Sequence, residues 1–255
     1  MKIATWNVNS MKVRLPHVLE WLDANKPDVL VLQEIKQVTE AFPDDELREA
    51  GYESLANGQK TYNGVAVVAT SAPTDPVLEL PSFDDPQRRV LATTVNGVRV
   101  IDLYVPNGQA VGSEKYEYKL GWLASLRNYL QDEMSRHEKL VVLGDFNIAP
   151  KDEDVYDAEK WGEGILCSPK EREALASLLE LGLTDVFRKF DQPEKSFSWW
   201  DYRRAGFRRN AGLRIDLILT SDTLTERCNA SYVDKEPRAW ERPSDHAPVV
   251  AEFDI

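Results

Sequence analysis

The chain has 255 residues, with 31 Lys+Arg against 43 Asp+Glu for a formal net charge of −12, and with 42% hydrophobic and 29% charged residues. That balance excludes a disordered or collagen-like chain, and no apolar run approaches the ~20 residues of a membrane-spanning helix. Taken as a total, the acidity also argues against nucleic acid as a partner, because such proteins usually carry a basic excess.

From the N-terminus, short β-like runs alternate with amphipathic helical ones. Strands are predicted at Ile3–Val8, Val29–Gln33, Val65–Ala69, Val90–Val95, Val98–Val105, Leu140–Leu143, Ile215–Thr220 and Ala247–Phe253. A helix is predicted from about Val13 to Ala24, with Val18, Leu19 and Leu22 on one face and Lys26-Pro27 closing it. Asn96-Gly97 between two β runs predicts an antiparallel hairpin. A longer helix is predicted over Glu114–Arg136, where Trp122, Leu123, Leu126 and Leu130 share a face. Ser168-Pro169-Lys170-Glu171 is a capping box with proline at the first helical position, and the helix it opens should stop at Gly182. Hairpin signals within an α/β alternation predict mixed sheets with helices outside. No linker, repeat or low-complexity tract interrupts the chain, so a single domain over residues 1–255 is expected. Cys167 and Cys228 stand in no metal-ligand spacing and suit a reduced, intracellular protein. The β alternation begins at Lys2, so a leader peptide is not expected, and a bacterial cytoplasmic setting is.

Four apolar runs end abruptly in polar side chains, at Asn7, Gln33-Glu34, Asp102 to Tyr104, and Asp145. Strand ends in α/β proteins form one edge, where ligand sites collect. A carboxylate placed directly after Val-Leu-Val-Leu-Gln, as Glu34 is, must be compensated by a cation or a donor, either a Mg²⁺ ion or a neighbour such as Lys36. Asp145-Phe146-Asn147 sets a proton acceptor two residues from a carboxamide donor, after a glycine that permits a tight turn. Ser244-Asp245-His246 carries one of three histidines, and Asp216, inside an apolar run, is a natural partner for its imidazole. Between Trp199 and Arg214, five arginines against Asp201 make the segment net +4, interleaved with aromatic rings. Arginine suits phosphate and rings suit bases or sugars, so Arg203 and Arg208 are candidate phosphate contacts. Glu40–Glu53, with six acids and one base, reads as an outward face.

The set Trp6-Asn7-Val8-Asn9, Leu32-Gln33-Glu34, Gly144-Asp145-Phe146-Asn147, Gly212-Leu213-Arg214-Ile215-Asp216 and Pro243-Ser244-Asp245-His246 resembles the exonuclease III family of abasic-site endonucleases, within the endonuclease/exonuclease/phosphatase superfamily. Tyr104-Val105-Pro106-Asn107-Gly108 and Ser198-Trp199-Trp200-Asp201-Tyr202-Arg203 extend the match, which runs end to end with the motifs in order. The resemblance implies an α/β fold, a four-layer sandwich of two packed mixed β-sheets flanked by helices. It implies Glu34 as principal Mg²⁺ ligand, supported by Asn7 and Asn9 with Asp245 lining the metal side, and Mn²⁺ as a substitute ion. Asp145 would activate or position the attacking water. Asn147 and Tyr104 would hold phosphate oxygens, with Asn107 a further contact. His246, oriented by Asp216, would stabilise charge on the phosphate, and Trp199, Leu213 and Ile215 would form the pocket for a deoxyribose lacking its base. The implied partner is damaged double-stranded DNA, cleaved at abasic sites, at 3′-phosphates and at 3′ ends; nothing in the sequence suggests an obligate dimer, and a monomer is expected. Two alternatives keep the same centre: mainly 3′-end activity with weak abasic incision, or action on inositol phosphates or phospholipid headgroups. The segment Trp161–Ser168, and Leu166 within it, is expected to tune the balance of activities.

Overall fold

The apolar runs of this sequence are apolar at nearly every position, and their strands are covered on both faces, as such runs require. The computed structural model describes residues 1–255. In chain order the elements are β1 (Lys2–Asn7), α1 (Met11–Asn25), β2 (Val29–Gln33), α2 (Asp44–Glu49), β3 (Glu53–Asn57), β4 (Val65–Ala69), β5 (Thr74–Val77), β6 (Val90–Val95), β7 (Val98–Tyr104), α3 (Glu114–Arg136), β8 (Leu140–Asp145), α4 (Ala158–Trp161), α5 (Pro169–Leu179), β9 (Thr184–Asp185), β10 (Asp216–Thr220), α6 (Asp222–Arg227), β11 (Cys228–Val233) and β12 (Val249–Phe253). They form two six-stranded sheets, ordered β11-β12-β1-β2-β4-β3 and β5-β6-β7-β8-β10-β9. Both are mixed: β1–β2 and β7–β8 run parallel, whereas β1–β12 and β8–β10 are antiparallel. No helix is long and apolar enough to cross a membrane.

The two-residue period of a strand sends alternate side chains to opposite faces, and three apolar clusters follow from it. Ile3, Val29, Val31, Val65 and Val67 of the first sheet pack against Leu91, Val98, Val100, Val141 and Leu143 of the second. Ala4, Trp6, Leu30 and Leu32 point the other way, onto Val18, Trp21 and Leu22 of α1 and Leu47 of α2. On the far side Ile101, Leu103, Val142 and Leu217 meet Trp122, Leu126 and Leu130 of α3 and Leu175 and Leu178 of α5. Three interfaces between four layers make the α/β sandwich.

The same alternation aims the polar strand ends. Asn7 continues the inward set of Ile3 and Thr5, Gln33 that of Val29 and Val31, Tyr104 that of Val98 and Val100, and Asp145 that of Val141 and Leu143. Parallel registers Asn7↔Gln33 and Tyr104↔Asp145 put all four at one rim of the inter-sheet space. Just beneath the rim, Gln33 Nε2 donates to Thr5 Oγ1 at 2.9 Å and, across the interface, to Asp102 Oδ1 at 2.7 Å.

All eight predicted strands are present, with shifts at their ends: β1 runs Lys2–Asn7, one residue earlier at each end, β7 stops one residue early, β8 extends to Asp145, β10 begins at Asp216 and β12 at Val249. Four further strands, β3, β5, β9 and β11, have no counterpart among those expected from the sequence, and they are the four sheet edges. Edge strands have one unpaired side and partly exposed faces, so their residues carry no continuous apolar signature. The capping box forms as expected, Ser168 Oγ accepting from Glu171 N while the Glu171 carboxylate accepts from Ser168 N. The helix ends at Leu179, a few residues short of Gly182. Asn96 and Gly97, both at positive φ, make the two-residue hairpin turn between Val95 and Val98.

Gly144 precedes Asp145 at the point where β8 lies tightest against β7. Its φ is +142°, and a Cβ there would lie 2.0 Å from the carbonyl oxygen of Leu103 on the neighbouring strand. A Gly144→Ala substitution therefore has to part β7 from β8 beside Asp145. It should lower stability by about 3 kcal/mol or more, read as a reduced midpoint of urea unfolding. An unchanged midpoint would refute the close approach.

Candidate active site

A carboxylate buried at the end of an apolar strand needs donors, and the rim supplies them from both sheets. Asn7, the last residue of β1, uses one amide group for two acids: Nδ2 donates to Glu34 Oε1 at 2.9 Å and to Asp145 Oδ2 at 3.0 Å. Glu34 Oε2 pairs with Lys36 Nζ at 2.8 Å, and the same ammonium reaches Asn9 Oδ1 at 2.5 Å. The pairing with Lys36 that the sequence left open is thus present. Glu34, Lys36 and Asn9 all take left-handed backbone conformations, with φ of 53°, 55° and 46°. Backbone of this kind in non-glycine residues gathers where surrounding structure holds it for function.

Asp145 sits beside Asp216 in the antiparallel register of β8 and β10. The Ser244–His246 loop lies over them, tied to β1 by Ser244 Oγ donating to the Asn7 carbonyl at 2.6 Å and Trp6 Nε1 donating to the His246 carbonyl at 3.2 Å. His246 Nδ1 is 2.9 Å from Asp216 Oδ2, which also accepts from Ser198 Oγ at 2.6 Å. The other ring nitrogen therefore points toward Asp145, whose Oδ2 lies 3.8 Å away. Asn147, two residues on, turns back so that its N–H donates to Asp145 Oδ1 at 2.9 Å, and its own Oδ1 accepts from Asn107 Nδ2 at 3.1 Å. Tyr104 stands beside them under the Arg89 guanidinium, which lies 4.7 Å from the ring centroid.

The protonation pattern follows from this packing. Burial pushes Asp145 up to about 7, against the nearby His246, with Asp216 adding to the rise. For His246 burial acts downward, but the carboxylates of Asp216 and Asp145 outweigh it and raise the imidazole to about 10. Burial would also raise Glu34, yet Lys36, Asn7 and His246 hold it below its ordinary value. Tyr104 is pushed well up, first by burial and then by Glu34 and Asp145, so its phenol stays a neutral donor. At neutral pH the site thus presents an imidazolium, an ionised Glu34 and an Asp145 poised to take a proton.

Ligand atoms of Glu34, Asp145 and His246 lie within 4.8 Å of one another. Two carboxylates at a solvent-facing rim, one already holding an ammonium, are a donor set suited to a hard divalent cation that keeps part of its water. Asn9 and Asp245 lie to one side: Asn9 Nδ2 donates to Asp245 Oδ1 at 2.9 Å and Trp199 Nε1 to Asp245 Oδ2 at 3.0 Å. Arg14, which no motif in the sequence marks out, fastens this corner by donating to the carbonyls of Asn9 and Pro243.

Leu213 and Ile215 form one apolar cluster with Ala149, Val155, Leu166 and Cys167, and Trp199 packs against it. Leu166 is buried there at a φ of 72°, so the segment singled out in the sequence lies on the residues assigned to the sugar pocket. The arginine-rich segment divides. Arg203, Arg204 and Arg209 line a cleft of about 340 Å³ with Tyr156, Trp161 and Trp199, and Arg208 is exposed nearby. Arg203 is forked onto Asp201, at 2.7 Å for its shortest contact. Arg214 corrects the count of phosphate-facing charges: it is buried, donating to Asp154 Oδ1 at 2.6 Å and Asp185 Oδ2 at 2.7 Å, with its guanidinium over Phe187.

The His246 and Asp145 shifts fix how the metal-free protein responds to pH. A histidine raised above its ordinary 6.5 contributes stability that is complete below pH 6.5 and lost as pH rises through about 10. The raised Asp145 acts the same way earlier, costing stability as pH rises toward about 7. In EDTA the melting temperature should fall steadily from pH 6.5 to 10, and Asp216→Asn should flatten the part above 7. A wild-type profile as flat as that of the variant would contradict the assignment.

Comparison with known proteins adds three findings. The Endonuclease/Exonuclease/phosphatase family matches residues 4–246. The exodeoxyribonuclease III of Haemophilus influenzae is 38% identical, over 99% of this chain and 100% of the relative. Among solved structures, a Neisseria 3′ phosphatase, NExo, bound to a product DNA hairpin superposes with a TM-score of 0.98 at 54% identity, and an AP endonuclease from Archaeoglobus fulgidus with 0.96 at 41%, each covering 100% of both chains.

Proposed function

The chain belongs to the Endonuclease/Exonuclease/phosphatase family, and from that premise we propose that it is a DNA-repair phosphoesterase acting on double-stranded DNA at abasic sites and at blocked or normal 3′ ends. The observation that carries the reading is the convergence of Glu34, Asp145 and His246 at one rim. The three activities share one bond change. Water oxygen bonds to phosphorus, the bond from phosphorus to O3′ breaks with its electron pair going to O3′, and that oxygen takes a proton from solvent to leave a 3′-hydroxyl.

Asp145, free to accept a proton near neutral pH, takes the proton of the attacking water. His246, held as an imidazolium by Asp216, offers its outward N–H to a non-bridging phosphate oxygen. Asn147, Tyr104 and Asn107 hold the remaining oxygens, so that positive charge and donors stand ready where negative charge develops. We assign the cation site to Glu34, supported by Asn7 with Asn9 and Asp245 alongside, and the ion to Mg²⁺, with Mn²⁺ as a substitute. When bound, it supplies Lewis-acid neutralisation of the phosphate. Arg203 and Arg208 take backbone phosphates, and Trp199, Leu213 and Ile215 receive the sugar. The working form is a monomer of one domain in the bacterial cytoplasm.

One observation favours the 3′-end activities over abasic incision. Leu166 packs in the same cluster as Leu213 and Ile215, so its side chain stands against the residues we assign to the flipped deoxyribose. The NExo relative is itself described as a 3′ phosphatase.

The test is a panel of duplexes carrying an internal abasic site, a 3′-phosphate or a nick, with MgCl₂ and with EDTA. Glu34→Ala and Asp145→Asn should each lower Mg²⁺-dependent cleavage of every substrate by about 100-fold or more; near-normal cleavage by either would sink the role assignment. Leu166→Gly, which relieves a left-handed leucine and empties the pocket, should raise abasic incision relative to 3′-phosphate removal by about tenfold. An unchanged ratio would show that the segment does not set the balance.

A further inference from the structure

We propose that the buried ion pair Lys119–Glu171 is a positioning device that holds the phosphate-binding Asn107 and Asn147 and couples them to the Leu166 segment, a proposal that rests on the phosphoesterase reading above. Lys119 belongs to α3 and lies on its apolar stripe, where no exposed surface remains to its side chain. Its ammonium has three acceptors for its three N–H bonds: the Asn147 carbonyl at 2.7 Å, the Asn107 carbonyl at 3.3 Å and Glu171 Oε1 at 2.5 Å. The stem is fitted as closely as the head. A Cβ on Gly108 would lie 3.1 Å from Lys119 Cδ, so the turn after Asn107 rests directly on the lysine.

Glu171 completes the device from the other side. Its Oε1 also accepts from Leu166 N at 3.1 Å, and its Oε2 accepts from Ser168 N at 3.1 Å and Ser168 Oγ at 2.7 Å. Tyr116, three residues before Lys119 on α3, shares a 2.7 Å hydrogen bond with the same Ser168 hydroxyl.

The two backbones that the pair grips are both left-handed: Asn147 has a φ of 50° and Leu166 of 72°. Lys119 takes the carbonyl of the first and Glu171 the N–H of the second. Such conformations persist in non-glycine residues only where surrounding contacts over-determine them. Removing the pair frees the peptide that aims Asn147 and the peptide that presses Leu166 into the sugar pocket. A buried ion pair is seldom the more stable choice over apolar residues of equal volume. Its geometry accounts for this one better, since one pair fixes both the phosphate contacts and the pocket wall.

The experiment compares wild type with Lys119→Met, Glu171→Gln and the double variant, and with Asn147→Ala as reference. Substrates are a 3′-phosphate duplex and an abasic duplex in MgCl₂. Rates are normalised to the folded fraction from circular dichroism. The double variant leaves no buried charge unpaired, so it serves if the single ones fold poorly. Lys119→Met, alone or in the double variant, should lower kcat by about 100-fold, the order that a misplacement near 1 Å costs. The double variant should also change the abasic to 3′-phosphate ratio by about threefold or more, which a mere loss of folded enzyme would not do. If Asn147→Ala is inactive while the double variant keeps wild-type kcat and ratio, the positioning role is overturned. If Asn147→Ala itself is fully active, the error lies in the role given to Asn147, and this proposal falls with it.

Discussion

An interface between two sheets that is apolar along its whole length must end somewhere, and the chemistry of this protein sits where it ends. Within one residue pair the inward-facing side chains change from Val31, Val100 and Leu143 to Gln33, Asp102 and Asp145. Carboxylates there are too buried to be solvated freely and too close to share a site without a donor between them. The amide of Asn7 is that donor, spanning Glu34 in one sheet layer and Asp145 in the other. Below it, Gln33 crosses to Asp102. The distance between the sheets, set by branched aliphatic side chains, thereby becomes the distance between two acids.

This arrangement explains why charge at the site is poised. Burial alone would neutralise the acids, and each departs from that outcome according to its neighbour. Lys36 keeps Glu34 ionised, whereas for Asp145 burial, with Asp216 adding to it, outweighs His246 and raises the carboxyl to about 7. Asp216 can remain the partner of His246 because Ser198 supplies it a hydroxyl from a different loop. A cation held beside Glu34 and Asp145 would add positive charge where Asp145 is most reluctant to ionise, and its binding would then favour release of that proton.

The parts that were legible in the sequence are those whose signal is local. Interior strands, covered on both faces, show continuous apolar runs. The Ser168 capping box and the Asn96-Gly97 turn are read from adjacent residues. Polar ends such as Asn7, Glu34 and Asp145 stand out because they interrupt an apolar pattern. Edge strands such as β5, Thr74–Val77, lack that pattern because one side faces solvent. Lys119 left only a faint trace, a lysine at the stripe spacing of α3 between Tyr116 and Trp122, since nothing local distinguishes a buried lysine from one that reaches out to water.

Charge was the least legible property, and the reason is physical. A guanidinium matches a phosphate and a carboxylate with the same fork, so an arginine in a basic stretch does not disclose which it faces. Arg214 is one of five in the net +4 segment, yet its partners Asp154 and Asp185 come from 60 and 29 residues away in the chain and bury it completely. Arg203 is satisfied by Asp201 at the surface, where a phosphate can compete for it. The net charge of −12 averages over both cases and over the acidic outer face. What decides contact with DNA is how many arginines keep an unburied fork beside the aromatic cleft, and that number depends on which carboxylates the fold brings to them first.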